Sequence, residues 1–406
     1  MSERKKIFIW TLFDFANTSF SLTIVTFVYA VYFKKVVSQG EPIGDFYWSI
    51  STSAAMLVTA LISPILGAIA DYSAGKKRFL LFFTLMCIVA TCSLYMVGEG
   101  DIFSGMLIFI IASIGFEAGL VFYDAFLPEI TRPKNYGRVS GYGFAAGYFG
   151  SIATLIGIYP LLTNNMLKEA FVFSGIFFLI FSMPLFIYLK ETRNKSTEKI
   201  NFLSIGVSRV SFTLHHLKTY KNLAWFLLAY FFYIEGVNTV IFFSGNYAST
   251  TLGFTETELL FFFLAVQTTA IVGSVFLGII SDRIGHARTI IISLVMWLFT
   301  VALAAYTSDK NGFYLVGLLA GAAMGSSQSS SRSLMSKLTP PDKKTEFFGF
   351  YSFFGKSSAI VGPLVFGYLS YATGDQRIAI LSLSFFFIVG LILLLKVKED
   401  KPEPEN

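Results

Sequence analysis

Two short stretches repeat one polar pattern inside apolar runs: Asp14-Phe-Ala-Asn17-Thr18 and Glu235-Gly-Val-Asn238-Thr239. In each, a carboxylate stands one helical turn ahead of an asparagine. A carboxylate holds an amine or carries a proton, and asparagine offers both a donor and an acceptor. Glu117 and Lys356 place two more charges in apolar surroundings. A charged group near the middle of a bilayer costs roughly 2.5–3.5 kcal/mol on insertion scales, so four cost on the order of 10 kcal/mol. That sum is comparable to the net stability of a whole domain. Such groups are kept where they face a wet cavity or one another. The pattern therefore predicts Asp14/Asn17 and Glu235/Asn238 opposed across a pseudo-two-fold axis as the polar floor of a substrate site. Lys356 would pair with an acid or bind a substrate carboxylate, and a desolvated acid is poised to load and release a proton. For any one of these residues alone, a hydrogen bond between helices is the blander reading.

These side chains need helices to carry them. The chain is 54% hydrophobic and 14% charged, with mean hydropathy +0.66, whereas soluble domains carry about 25% charged residues. About 20 apolar residues span the hydrocarbon core. Twelve such stretches are expected, at 7–33, 46–70, 79–98, 102–126, 139–161, 170–189, 222–247, 258–281, 288–306, 313–336, 347–371 and 377–395. None shows the alternation of a membrane barrel strand. The fold class is an all-α membrane protein of twelve transmembrane helices in two six-helix halves. The net charge of +6 is a topology signal and does not point to nucleic acid. Of the 31 Lys and Arg, Lys34, Lys35, Lys168, Lys310 and Arg377 fall on one side, Lys356 within a span, and the rest on the other. The positive-inside rule then puts both termini in the cytoplasm, and the plasma (inner) membrane is the expected site if the chain is bacterial. The N-terminal apolar run is too long for a signal peptide and lacks a cleavage site, so it stays as a span.

Residues 1–189 and 222–406 form the two expected halves, joined by a basic cytoplasmic linker, 190–221, whose middle is amphipathic enough to lie along the membrane surface. The halves repeat each other. GAIAD at 67–71 matches GIISD at 278–282, and Thr131, Pro133, Gly141 and Gly147 fall on Thr339, Pro341, Gly349 and Gly355. Parallel repeats of six spans mark one large class of secondary transporter. Asp124 and Arg332 occupy equivalent positions, and a pair between them would close an inner gate; solvated helix ends are the alternative. Ser326–Ser331 add hydroxyls to the tenth span as candidate cavity-facing groups. Small-xxx-small glycines at 317, 321 and 325, like those at 143 and 147, are explained by close helix packing.

The segment GIISDRIGHAR resembles the signature loop of the major facilitator superfamily, with Gly278, Asp282, Arg283, Gly285 and Arg288 in place. The first-half copy, GAIADYSAGKKR, keeps Gly67, Asp71 and Arg78 but has Tyr72 for Arg and one extra residue before Gly75. In that superfamily the loop locks the cytoplasmic side through charge pairs that break as the halves rock. The resemblance also implies that the first, fourth, seventh and tenth spans, three of which hold Asp14, Glu117 and Glu235, line a central cavity. FDFANTSFS (13–21), FYDAFLPEI (122–130) and GRVSGYGFAAGYFGS (137–151) look like the branch related to the autophagy-associated vacuolar amino-acid effluxers. That likeness implies a transporter, with efflux of amino acids or similar small solutes and proton coupling as the expectation. The expected partners are a small-molecule substrate, the proton and the lipid bilayer, with a monomeric chain and no cofactor.

Rival readings are an exporter of drugs or sugars and a non-transporting receptor on the same fold. An enzyme is not expected. GEGD (98–101) has the form of an intramembrane aspartyl protease motif, but Asp101 and Asp124 lie about 34 Å apart along one helix and cannot share a water. No P-loop or H-E-x-x-H motif is present. Cys87 and Cys92 read as packing residues, and His215, His216 and His286 lack metal-ligand spacing.

Overall fold

A computed structural model describes residues 1–73, 75–191, 202–215, 219–359 and 361–399. Part of the expected linker, including His216, and the last seven residues lie outside the described residues. The helices are α1 Glu3–Val37, α2 Ile43–Ser73, α3 Lys76–Met96, α4 Ile102–Ile130, α5 Pro133–Thr163 and α6 Leu167–Tyr188. A short helix, α7 Phe202–His215, follows within the segment expected to link the halves. Then come α8 Lys221–Thr250, α9 Glu256–Ile284 and α10 His286–Tyr306. The rest are α11 Lys310–Leu338, α12 Lys344–Ser358, α13 Val361–Thr373 and α14 Gln376–Leu394.

Ten of these are long and apolar enough to cross a membrane. The two remaining expected spans, α11 and the α12–α13 pair, are helical but depart from plain hydropathy for separate reasons. In α11 the run GSSQSSSRS lowers the hydropathy, and most of its serines are satisfied by protein groups, Ser330 Oγ having no partner among the described residues. Ser329 and Ser333 bond to carbonyls of their own helix. Ser326 bonds Ser293 at 2.5 Å, and Ser331 bonds the Tyr233 hydroxyl at 2.6 Å. Such back-bonding and interhelical pairing let a polar helix sit inside an apolar bundle. The serines at 326, 327, 329, 330 and 331 are fully buried. The α12–α13 span is interrupted after Ser358 by a turn at Ala359 and resumes at Val361. Pro363 lacks an amide hydrogen and disfavours helix just ahead of it.

By packing, the chain falls into two units. Unit 1 holds Met1–Ile130, Ala146–Val210 and Asp342–Ser352; unit 2 holds Thr131–Ala145, Ser211–Pro341 and Phe353–Asn406. The start of α5 thus belongs with the later helices, and most of α12 with the earlier ones. In unit 1, Trp10 and Phe13 of α1 both stack on Tyr123 of α4 at 4.7 Å, and Trp10 and Tyr123 exchange side-chain to backbone hydrogen bonds. In unit 2, Trp297 of α10 stacks on Phe387 of α14. Aromatic pairs of this kind contribute about 0.5–1.5 kcal/mol each beyond area burial. They hold α1 and α4, which carry the unit 1 acids, in fixed register.

Candidate functional site

The acids singled out from sequence are buried. In unit 1, Asp14 and Glu117 are each 7% exposed and Asn17 is 3% exposed, on α1 and α4. Gly147 of α5 lies against Asp14, where an added Cβ would stand 3.5 Å from its carbonyl oxygen. The Asn17 Nδ2 has no acceptor among the described residues. In unit 2, Glu235 of α8 is fully buried. Its Oε1 accepts from the Thr239 hydroxyl at 3.2 Å and from the Gly362 amide at the start of α13. Its Oε2 has no donor among the described residues. Asn238 and Lys356 are half-buried. Glu235 is therefore turned toward α13 within unit 2, and Thr239 and Gly362 are its neighbours, which the sequence reading had not assigned.

A second set of carboxylates sits at the helix ends predicted to be cytoplasmic. Asp71 accepts from the amides of Thr345 and Glu346 at 3.0 and 2.8 Å, capping α12 in unit 1. Asp282 accepts from the amides of Gly137 and Arg138 at 2.7 and 3.1 Å, and from Arg138 Nε at 3.0 Å, capping the start of α5 in unit 2. Each acid meets the unpaired amides and positive dipole end of a helix. Gly67 and Gly278 make the approach possible. A Cβ on Gly67 would stand 2.2 Å from the Thr345 carbonyl oxygen, and one on Gly278 2.8 Å from that of Gly137.

The same device recurs at α3 and α10. Glu191 accepts from the amides of Lys76 and Lys77 at 2.8 and 3.3 Å. Glu399 accepts from those of His286 and Ala287 at 3.0 and 2.8 Å, and from Lys337 Nζ at 3.0 Å. Lys76 is buried and reaches Glu129 at 2.5 Å. Sequence reading missed Glu191, Glu399, Glu129 and Arg138. The available signal was the repeat register, since Lys190-Glu191 and Lys398-Glu399 stand at equivalent points of the halves.

Of the expected gate arginines, Arg78, Arg283 and Arg288 are exposed, and the charge against Asp282 comes from Arg138. Arg332 is 2% exposed. It donates from Nε to the Ser140 hydroxyl and from Nη2 to the Ser140 carbonyl, both at 3.0 Å, and its guanidinium lies 4.2 Å from the Phe144 ring centre. Asp124 is half-buried at the end of the helix Ile102–Asp124 in unit 1.

The two tail acids titrate in opposite directions. Burial holds Glu191 above the ordinary carboxylate range. Burial also pushes Glu399 upward, but the His286 ring, the two amides and Lys337 outweigh it and hold the acid below that range. An acid depressed in the folded state adds stability above its unfolded pKa and loses it as pH falls through the folded value. Thermal melts should therefore show Glu399→Gln less stable than wild type at neutral pH, with the gap shrinking as pH drops below about 4.3. A gap that stays constant as pH falls well below that value would mean the carboxylate charge contributes nothing.

The fold and these sites can be set beside known proteins. The proton:xylose symporter XylE, of the major facilitator superfamily, superposes with a TM-score of 0.77 at 15% identity, covering 99% of this chain and 97% of that one. The uncharacterized MFS-type transporter YxiO of Bacillus subtilis (strain 168) is 29% identical over 405 residues, covering 96% of this chain and 94% of its own. Together with the helices, these likenesses define a transporter of the major facilitator class, integral to the membrane, and not an enzyme. Autophagy-related protein 22 of Kluyveromyces lactis is 23% identical over 412 residues, covering 89% of this chain and 83% of its own. The family described as "Vacuole effluxer Atg22 like" matches residues 47–406, and the chain belongs to that family.

Proposed function

We propose that the chain is a secondary active transporter that exports small polar solutes, amino acids foremost, by alternating access coupled to protons. The observation that carries this reading is the set of buried acids: Asp14 and Glu117 in unit 1, and Glu235 in unit 2 with one oxygen unpartnered among the described residues. Buried carboxylates are costly in a bilayer and are kept for ion or substrate chemistry. Asn17 and Asn238 supply neutral donors and acceptors one turn away. Outward transport follows the family's description as effluxers. The helix-capping acids Asp71 and Asp282 would lock the cytoplasmic ends while the opposite side is open, and release them in each cycle. The chain would act as a monomer in the inner membrane, both termini cytoplasmic.

The test is uptake of a mixed amino-acid panel into proteoliposomes, with and without an outward proton gradient (acidic lumen), which drives substrate inward through a proton antiporter. Wild type should accumulate at least one amino acid when the proton gradient is imposed, and the double variant Asp14→Asn/Glu235→Gln should lose most of that accumulation. Unaltered transport by the double variant would refute the assignment of these acids. Gradient-driven uptake of a sugar or an amphiphilic cation in place of any amino acid would refute the substrate class.

A further inference from the structure

Glu235 meets the broken eleventh span in an arrangement that neither the family nor the repeat accounts for. Its Oε1 takes the first free amide of α13, from Gly362, and the Thr239 hydroxyl. Its Oε2 faces the fully buried interior with no donor among the described residues. Glycine at 362 permits this approach, because a Cβ there would stand 2.0 Å from both Glu235 Oε1 and Thr239 Oγ1 and would push those side chains aside. In transporters, a discontinuous helix sets the positive end of a half-helix against a negative group, and here that group is the Glu235 carboxylate. The chemistry of the neighbours selects the ion. A hard metal cation gathers several oxygen ligands, whereas both groups at Oε1 present hydrogens. Only a proton is satisfied by the bare Oε2.

We propose that Glu235, Thr239 and the first turn of α13 form a proton site in which Oε2 takes the proton and the docking of α13 sets its affinity. This rests on the proton-coupled reading above and assigns its location. With α13 docked, the Gly362 amide and the helix dipole stabilise the anion. With α13 moved away, the buried acid keeps the Thr239 and Ser358 hydroxyls but loses the amide and the helix dipole, and the neutral form is favoured. By linkage, protonation must then favour the undocked α13 to the same degree, on the order of tenfold in the equilibrium. The undocking must break an aromatic contact beside the site. Phe366 of α13 stacks on Phe243 of α8 at 4.0 Å, on the wall of an apolar cavity of about 50 Å³ that Thr239, Tyr247 and Phe313 also line.

The charged and titratable groups on the packed elements are few. On α8, Tyr230 packs against Gly355, and the Tyr233 hydroxyl bonds Ser331. Lys356 stands on α12, and Arg332 of α11 is bound to Ser140. On α9, Glu258 pairs with Lys310 of α11 and Asp282 with Arg138, Arg283 is exposed, and Glu256 stands at the opposite end of the helix. Tyr368 and Tyr371 of α13 are exposed, and Arg377 is at the start of α14 bonded to Ser308.

The test reads α13 directly and needs no substrate. Full-length protein with Cys87 and Cys92 replaced by alanine is spin-labelled at Leu364→Cys on α13 and Phe242→Cys on α8, both exposed positions. Distance distributions in lipid nanodiscs are recorded from about pH 5 to about pH 9, a window around the titration of a perturbed carboxylate. Wild type should exchange between two distributions with one pH midpoint, and Glu235→Gln should stay in the low-pH distribution throughout. Thr239→Val and Gly362→Ala should each raise the midpoint, since one donor is lost or α13 is held off. A distribution that ignores pH in wild type overturns the proposal, as does wild-type pH dependence in Glu235→Gln. Should Glu235→Gln fail to fold, an unmoved midpoint in Thr239→Val overturns it equally. A pH-dependent shift in a protein that transports no amino acid would refute the substrate class while leaving this site standing.

Discussion

Asp282→Ala is expected to destabilise unit 2 by about 3 kcal/mol, the scale of breaking a buried, hydrogen-bonded ion pair. The carboxylate side chain is 2% exposed and takes three hydrogen bonds, two from the amides of Gly137 and Arg138 and one from Arg138 Nε. Removing it strands two amides at the start of α5 and one guanidinium. Asp282→Asn should cost less, because its one carbonyl oxygen can still accept from an amide. Thermal unfolding of the purified protein in detergent reads the order: wild type, then Asn, then Ala. A second readout follows from the geometry. A cysteine at Arg138→Cys, half-buried beside Asp282 when that acid is present, should react faster with a thiol reagent once Asp282 is alanine. Equal reactivity in the two backgrounds would show that the acid does not hold this helix end. Asp71→Ala should loosen the start of α12 in the same way, since Asp71 caps Thr345 and Glu346.

Arg332→Ala should cost about 3 kcal/mol as well, by a different route. The variant leaves the Ser140 carbonyl without its donor, removes the contact with Phe144 and opens space in a fully packed stretch of α11. Arg332→Lys keeps the charge but cannot hold both Ser140 groups while lying flat on a ring. Arg332→Met separates stability from function, because an apolar replacement of similar volume is often neutral for a buried charge. Melts should rank wild type above Lys and Lys above Ala. If Met melts at or above wild type while proteoliposome transport falls, the guanidinium is kept for the transport cycle. If Met both melts and transports like wild type, Arg332 has no role beyond packing.

Hydropathy by itself determined that this is a membrane protein of helices, and it located closely the ten that are long and apolar enough to cross a membrane. That signal is local: the cost of burying a peptide in lipid depends on each stretch alone. The internal repeat was equally legible, as were the buried acids, because Asp14, Glu117 and Glu235 are conspicuous against Phe, Ile and Val. The repeat register also aligned Asp71 with Asp282 and identified the loops that carry them. What the register could not supply was a partner. It states that two residues are equivalent, whereas a hydrogen bond depends on which helix end comes to rest beside each carboxylate. Tertiary packing decided that Asp282 caps α5 and pairs with Arg138, and not with the arginines beside it in sequence. It also decided that Glu191 and Glu399, which read as ordinary loop charges, cap α3 and α10. The serines of α11 illustrate the same limit: their composition suggests a wet surface, yet Ser293, Tyr233 and the helix's own carbonyls satisfy them in a dry interior. Glu235 is the sharpest case. Its presence in a span was visible in the sequence, but its bond to α13 is made by the amide of Gly362, more than a hundred positions away, where the missing Cβ leaves the carboxylate its place.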